Sequence, residues 1–180
     1  MMRREIADAA GMESLGRSLG AELRAGDLLI LTGPLGAGKT TLTRGIGAGL
    51  GVRGPVQSPT FVLARTHPSL VGGAPLVHVD AYRLGTAELV EDLDLDFAGS
   101  VVVVEWGEGL LDGVGESRLE VVIERPQGAA DASGPIGADA DEPAGGDPFD
   151  AEFLGADEPR VVTVRGLGPR WAGTAYADPR

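Results

Sequence analysis

Eight consecutive residues, Gly33-Pro-Leu-Gly-Ala-Gly-Lys-Thr40, fit the spacing G-x-x-x-x-G-K-[ST] at every fixed position. Gly33, Gly36 and Gly38 allow backbone angles that a Cβ would forbid, so the amides around Ala37 can point into one concavity. Such a concavity fits a polyphosphate. A helix opening at the end of the loop adds unpaired amides and a partial positive charge. Lys39 then suits the β and γ phosphates of ATP, the Thr40 hydroxyl suits Mg2+, and Thr41 offers a secondary contact. Of the 15 basic residues 14 are arginine, and Lys39 is the only lysine in the chain. A compact ammonium among phosphates is the use for which lysine differs most from arginine.

Two carboxylates follow apolar runs: Asp80 after Leu76-Val-His-Val79, and Glu105 after Val101-Val-Val-Val104. Ligands of open α/β sheets sit beyond the carboxyl ends of the strands. Asp80 and Glu105 can there serve Mg2+, directly or through water, or orient an attacking water; capping a loop is the plainer alternative for each. Their division of labour stays open. Ser58-Pro-Thr-Phe61 stands where a switch segment would sense a γ-phosphate through the Ser58 and Thr60 hydroxyls, although Ser-Pro also forms turns unaided. Arg83 could pair with Asp80, meet a phosphate or contact a partner. His78 reads as half-buried structure, and Trp106 as packing that could also exclude water.

These residues need a scaffold. Asp27 to Thr32 is an apolar run of the kind buried in a parallel sheet, and a helix from about Lys39 to Leu50 follows the glycine loop. Leu15, Leu19 and Leu23 recur every four residues, predicting an amphipathic helix from Ser14, its N-cap, to Leu23. Phe61 to Thr66, Pro75 to Ala81 and Ser100 to Trp106 read as strands, the first two as an antiparallel pair, and Thr86 to Leu93 as a short helix. The alternating runs 118–124 and 160–165 read as neighbouring strands. The expected fold is α/β and P-loop NTPase-like: a single domain over residues 1–180 with a mixed, mainly parallel sheet flanked by helices.

Between those last two strands, residues 126–159 hold nine acids and no Lys or Arg, without helical or strand periodicity. They read as a disordered acidic insertion, tolerable because loop-closure entropy grows slowly with length. The overall net charge is −12; outside the insertion the chain is close to neutral, so it is not expected to bind a nucleic acid on its own. With no cysteine and two histidines, disulfides and zinc sites are not expected. No run approaches the roughly 20 apolar residues that span a bilayer, and no signal peptide is evident, so the expectation is no membrane contact and a cytoplasmic location.

Taken in order, the Gly33 to Thr41 loop, Ser58-Pro-Thr-Phe61, His78-Val-Asp-Ala-Tyr-Arg-Leu84, Glu88 to Asp92 and Val103-Val-Glu-Trp106 resemble the TsaE (YjeE) family over about residues 12 to 125. The resemblance implies a P-loop fold with a mixed sheet and weak intrinsic ATPase activity. It implies association with TsaB and TsaD, of which TsaD transfers threonylcarbamoyl to adenosine 37 of tRNAs reading ANN codons. Carried over by position, Lys39 and Thr40 serve ATP and Mg2+, Asp80 and Glu105 serve Mg2+ and hydrolysis, and Ser58 to Thr60 form the switch. Residues 126–159 depart from the family pattern and inherit no role. Two other readings of the same loop are a small-molecule or nucleotide kinase, whose mobile lid would carry arginines rather than acids, and a nucleotide-sensing scaffold.

Overall fold

A computed structural model describes residues 1–59, 62–83, 95–111, 114–125 and 158–179. Seven strands form one sheet: β1 Met2–Ile6, β2 Leu28–Thr32, β3 Ala64–His67, β4 Leu76–Asp80, β5 Val101–Glu105, β6 Arg118–Glu124 and β7 Arg160–Leu167. Their order is β1-β7-β6-β2-β5-β4-β3. The centre, β6-β2-β5-β4, is parallel. Antiparallel pairings add β3 at one margin and β7, then β1, at the other. All strands but β3 and β7 therefore run the same way, giving the mixed, mainly parallel sheet expected.

Strand alternation divides the core between two faces. Leu29 and Leu31 of β2, Val101 and Val103 of β5, and Leu119, Val121 and Ile123 of β6 face helices α1 (Ala9–Glu22) and α2 (Lys39–Leu50). Leu28, Ile30, Val77, Val79, Val102 and Val104 pack on the other face with Leu63, Leu95, Phe97, Leu110 and Leu111. Both central strands are apolar on both sides because both sides are covered.

The two helices touch through glycine. A Cβ on Gly16 would stand 2.3 Å from the Leu42 carbonyl oxygen, and one on Gly20 2.3 Å from that of Ile46. Reciprocally, a Cβ on Gly45 would meet the Glu13 oxygen at 2.3 Å, and one on Gly49 that of Arg17 at 2.4 Å. The helix that follows the glycine loop is thus set against α1 backbone to backbone.

Two expectations change. Helix α1 begins at Ala9 rather than Ser14: Asp8 is the N-cap, its carboxylate accepting from the Gly11 amide at 2.7 Å. Small residues in the first turn hid this start from the apolar spacing. Strand β1 was not anticipated, because Arg3, Arg4 and Glu5 interrupt alternation at a sheet edge. The predicted 118–124 and 160–165 strands do pair, in a seven-residue register from Arg118↔Leu167 to Glu124↔Val161. The expected helix at Thr86 to Leu93 and almost all of the expected insertion lie outside the described residues.

Beyond β7, Arg170 grips Asp27 with two bonds, Nε to Oδ1 at 3.0 Å and Nη2 to Oδ2 at 3.1 Å. Trp171 is buried beside it, and Tyr176 donates its hydroxyl to Glu22 at 2.9 Å, tying the C-terminal segment to α1.

Candidate nucleotide site

Strand β2 ends at Thr32, the glycine loop turns, and α2 starts at Lys39. Gly38 is the N-cap at φ 104°, a left-handed conformation that a side chain would resist. No side chain caps this helix, so its first amides stay open to an anion. Lys39 lies buried, its Nζ donating to the carbonyls of Gly33 at 2.8 Å and Pro34 at 3.0 Å. The same ammonium stands 3.7 Å above the Trp106 ring centroid. Burial pulls the Lys39 pKa below its ordinary 10.5, against the opposing pull of Glu105 and Asp80.

Parallel pairing of β4 with β5 puts Asp80 beside Glu105 in register. Both carboxylates are buried at the carboxyl edge, on the helix-bearing face. Glu105 Oε1 accepts from Thr40 Oγ1 at 3.0 Å, so the loop hydroxyl and the strand carboxylate already touch across 65 residues of sequence. Asp80 Oδ1 accepts from the Tyr82 amide at 3.0 Å and caps the 3₁₀ turn Ala81–Arg83. The plainer role foreseen for Asp80 is thus real. A hydroxyl with neighbouring carboxylates is the oxygen donor set that a hard cation such as Mg2+ takes from a protein, leaving phosphates and waters to complete it.

His78 is a departure from expectation. It is fully buried, not half-buried, and its Nε2 lies 2.8 Å from Glu105 Oε1. The period of β4 could have signalled this, since His78 and Asp80 share a face and neighbour the β5 carboxylate. Trp106 has φ 63°, a left-handed conformation costing of order 1–3 kcal/mol. Its amide donates to Leu31 at 3.0 Å and its ring contacts Tyr82, centroids 5.3 Å apart. Ser58 is described and partly buried, whereas Thr60 and the Arg83 side chain lie outside the described residues. A cleft lined by Asp8, Met12, Thr41, Arg44 and Arg160 adjoins Gly36, Ala37 and Gly38.

The family model for "Threonylcarbamoyl adenosine biosynthesis protein TsaE" matches residues 6–131. The tRNA threonylcarbamoyladenosine biosynthesis protein TsaE of Streptomyces coelicolor is 56% identical over 164 residues, 89% of this chain and 94% of its own length. The chain belongs to the TsaE family. The Bacillus subtilis protein of the same name is 40% identical over 116 residues, covering 63% of this chain and 71% of its own. The crystal structure of YdiB from Bacillus subtilis superposes with a TM-score of 0.61 at 27% identity, over 94% of this chain and 86% of that one. TsaE membership and the P-loop NTPase-like fold agree with the loop, and the family's named role is in tRNA threonylcarbamoyladenosine biosynthesis. Among the described residues no helix is long and apolar enough to cross a membrane.

Proposed function

We propose that this TsaE-family chain is the subunit that binds and hydrolyses Mg-ATP in support of threonylcarbamoylation of adenosine 37 in tRNAs reading ANN codons, acting with TsaB and TsaD. The observation that carries the reading is the 3.0 Å bond between Thr40 and Glu105 beside the buried Lys39. Gly33, Gly36, Ala37, Gly38 and Thr41 supply the phosphate cradle, with Lys39 on the β and γ phosphates. Thr40, Asp80 and Glu105 would hold Mg2+, which neutralises charge on the phosphates when bound. Glu105 is the group placed to orient a water, and Ser58 and Thr60 belong to the segment that senses the γ-phosphate. Residues 1–180 act as one domain, cytoplasmic and without membrane contact, that meets tRNA only through the complex.

Phosphate release from ATP, measured for the chain alone, with TsaB and TsaD, and with candidate phosphoryl acceptors, tests this. Slow release alone and faster release with both subunits is the expected pattern. ADP formation that requires an acceptor and yields a phosphorylated product would replace the reading with a kinase.

A further inference from the structure

Two arginines reach the phosphate loop from distant parts of the chain. Arg125 directly follows β6 and Arg160 opens β7, so in sequence they flank residues 126–159. Arg125 Nη2 donates to the Gly36 carbonyl at 3.2 Å, and Arg160 Nε donates to the Ala37 carbonyl at 3.3 Å. Adjacent carbonyls of the loop are therefore each held by a guanidinium. Arg160 is only 5% exposed, an uncommon burial for an arginine at a strand end. Burial is the chief cause that lowers its pKa, and the neighbouring Arg125 charge adds to it. Glu158 offsets this: its carboxylate lies 3.5 Å from Arg160 and 4.0 Å from Arg125, and its carbonyl accepts from Arg160 at 2.6 Å.

A trans peptide carries its C=O and N–H on opposite sides. Pinning the Ala37 carbonyl toward Arg160 therefore turns the Gly38 N–H away from it, and a charged donor on that carbonyl strengthens the amide as a donor in turn. The Gly36 carbonyl shares its peptide with the Ala37 N–H, which donates to the Pro34 carbonyl at 3.1 Å. Arg125 thus fixes the same turn from its other side.

We propose that Arg125 and Arg160 are positioning residues of the phosphate loop, holding the Gly36 and Ala37 carbonyls so that the Gly38 amide is presented to a polyphosphate. This rests on the reading of Gly33 to Thr40 as a nucleotide-binding loop. Neither arginine belongs to the loop motif, and both act through main chain.

The test uses the full chain with Arg160→Met and Arg125→Met, which keep apolar reach and remove the donors, with Arg160→Lys as the conservative variant and Arg165→Met as the control. Calorimetry with Mg-ATP and with Mg-tripolyphosphate is read beside the Gly38 amide resonance of the ligand-free protein and its melting curve. Arg160→Met is expected to move the Gly38 resonance and weaken both ligands by the same factor, about tenfold. Arg160→Lys should recover part of this, and Arg165→Met should leave both affinities unchanged. An unmoved Gly38 resonance overturns the proposal. So does weakening of ATP alone, which would put Arg160 against the nucleoside, or weakening that only tracks lost stability. Failure of the unaltered chain to bind either ligand would instead overturn the nucleotide reading, while the Gly38 resonance would still decide the positioning role.

Discussion

His78 and Glu105 meet at 2.8 Å with neither side chain open to solvent, and the oxygen they share is the one that accepts from Thr40. One carboxylate oxygen is thereby tied to the strand beside it and to the loop above it. The orientation of Glu105 is set before any ligand arrives, which is what electrostatic preorganisation requires.

Glu105→Gln preserves shape and removes the charge. ATP hydrolysis should fall about 10²- to 10⁴-fold, the usual worth of a positioned acid or base. Calorimetric affinity for Mg-ATP should change by no more than about threefold, since the proposed reading gives the phosphate contacts to the loop amides and Lys39. Turnover at the wild-type rate would remove Glu105 from the chemistry.

His78→Leu leaves Glu105 buried without its strand partner, and stability in urea should drop by about 1–3 kcal/mol. Hydrolysis should fall as well. His78→Gln, whose amide nitrogen can stand near the lost Nε2, should recover part of both, whereas a role confined to filling space would favour leucine over glutamine.

Lys39→Met separates stability from binding. The fold disfavours the Lys39 charge through burial, so the methionine variant should melt at a higher temperature without ligand while losing Mg-ATP binding. Differential scanning calorimetry with and without Mg-ATP reads both. A lower melting point would mean that the contacts to Gly33, Pro34 and Trp106 outweigh the desolvation.

Gly45→Ala and Gly49→Ala should each destabilise the protein by about 1–3 kcal/mol, since neither contact to the α1 backbone can yield without moving a helix. Gly73→Ala, whose Cβ would meet only the Ser69 hydroxyl at 3.7 Å, is the control and should be close to neutral. Denaturant midpoints of the three variants decide this.

Tyr176 gives an alkaline signature. Burial and the Glu22 contact push its phenol up to about 12 from an ordinary 10.0. The folded state holds the proton more tightly than the unfolded state, so this contribution is complete below pH 10 and is lost as pH rises toward 12. Unfolding free energies across that window should decline less steeply for Tyr176→Phe than for the unaltered chain.

Much of the site was legible because its parts are local. Lys39 and Thr40 sit in a motif, and Asp80 and Glu105 end apolar runs that could only be buried strands. The period of β4 places His78 on the face of Asp80, but its contact with Glu105 needed the pairing of β4 with β5, and the two arginine contacts needed the ends of β6 and β7 set against the glycine loop. Helix α1 was found by its leucines but misplaced at its start, where Asp8 caps a turn of small residues. Strand β1 escaped because an edge strand with one neighbour can carry charges that a central strand cannot.

The position of β7 has a consequence for synthesis. Strand β7 lies between β6 and β1, and β1 borders no other strand of the described sheet. During synthesis β1 therefore has no strand partner until β7, which begins at Arg160, has emerged. Loss of β7 would leave β1 without its partner and uncover the outer edge of β6, both open to pairing with other chains. A strand made early must wait for one made more than 150 residues later.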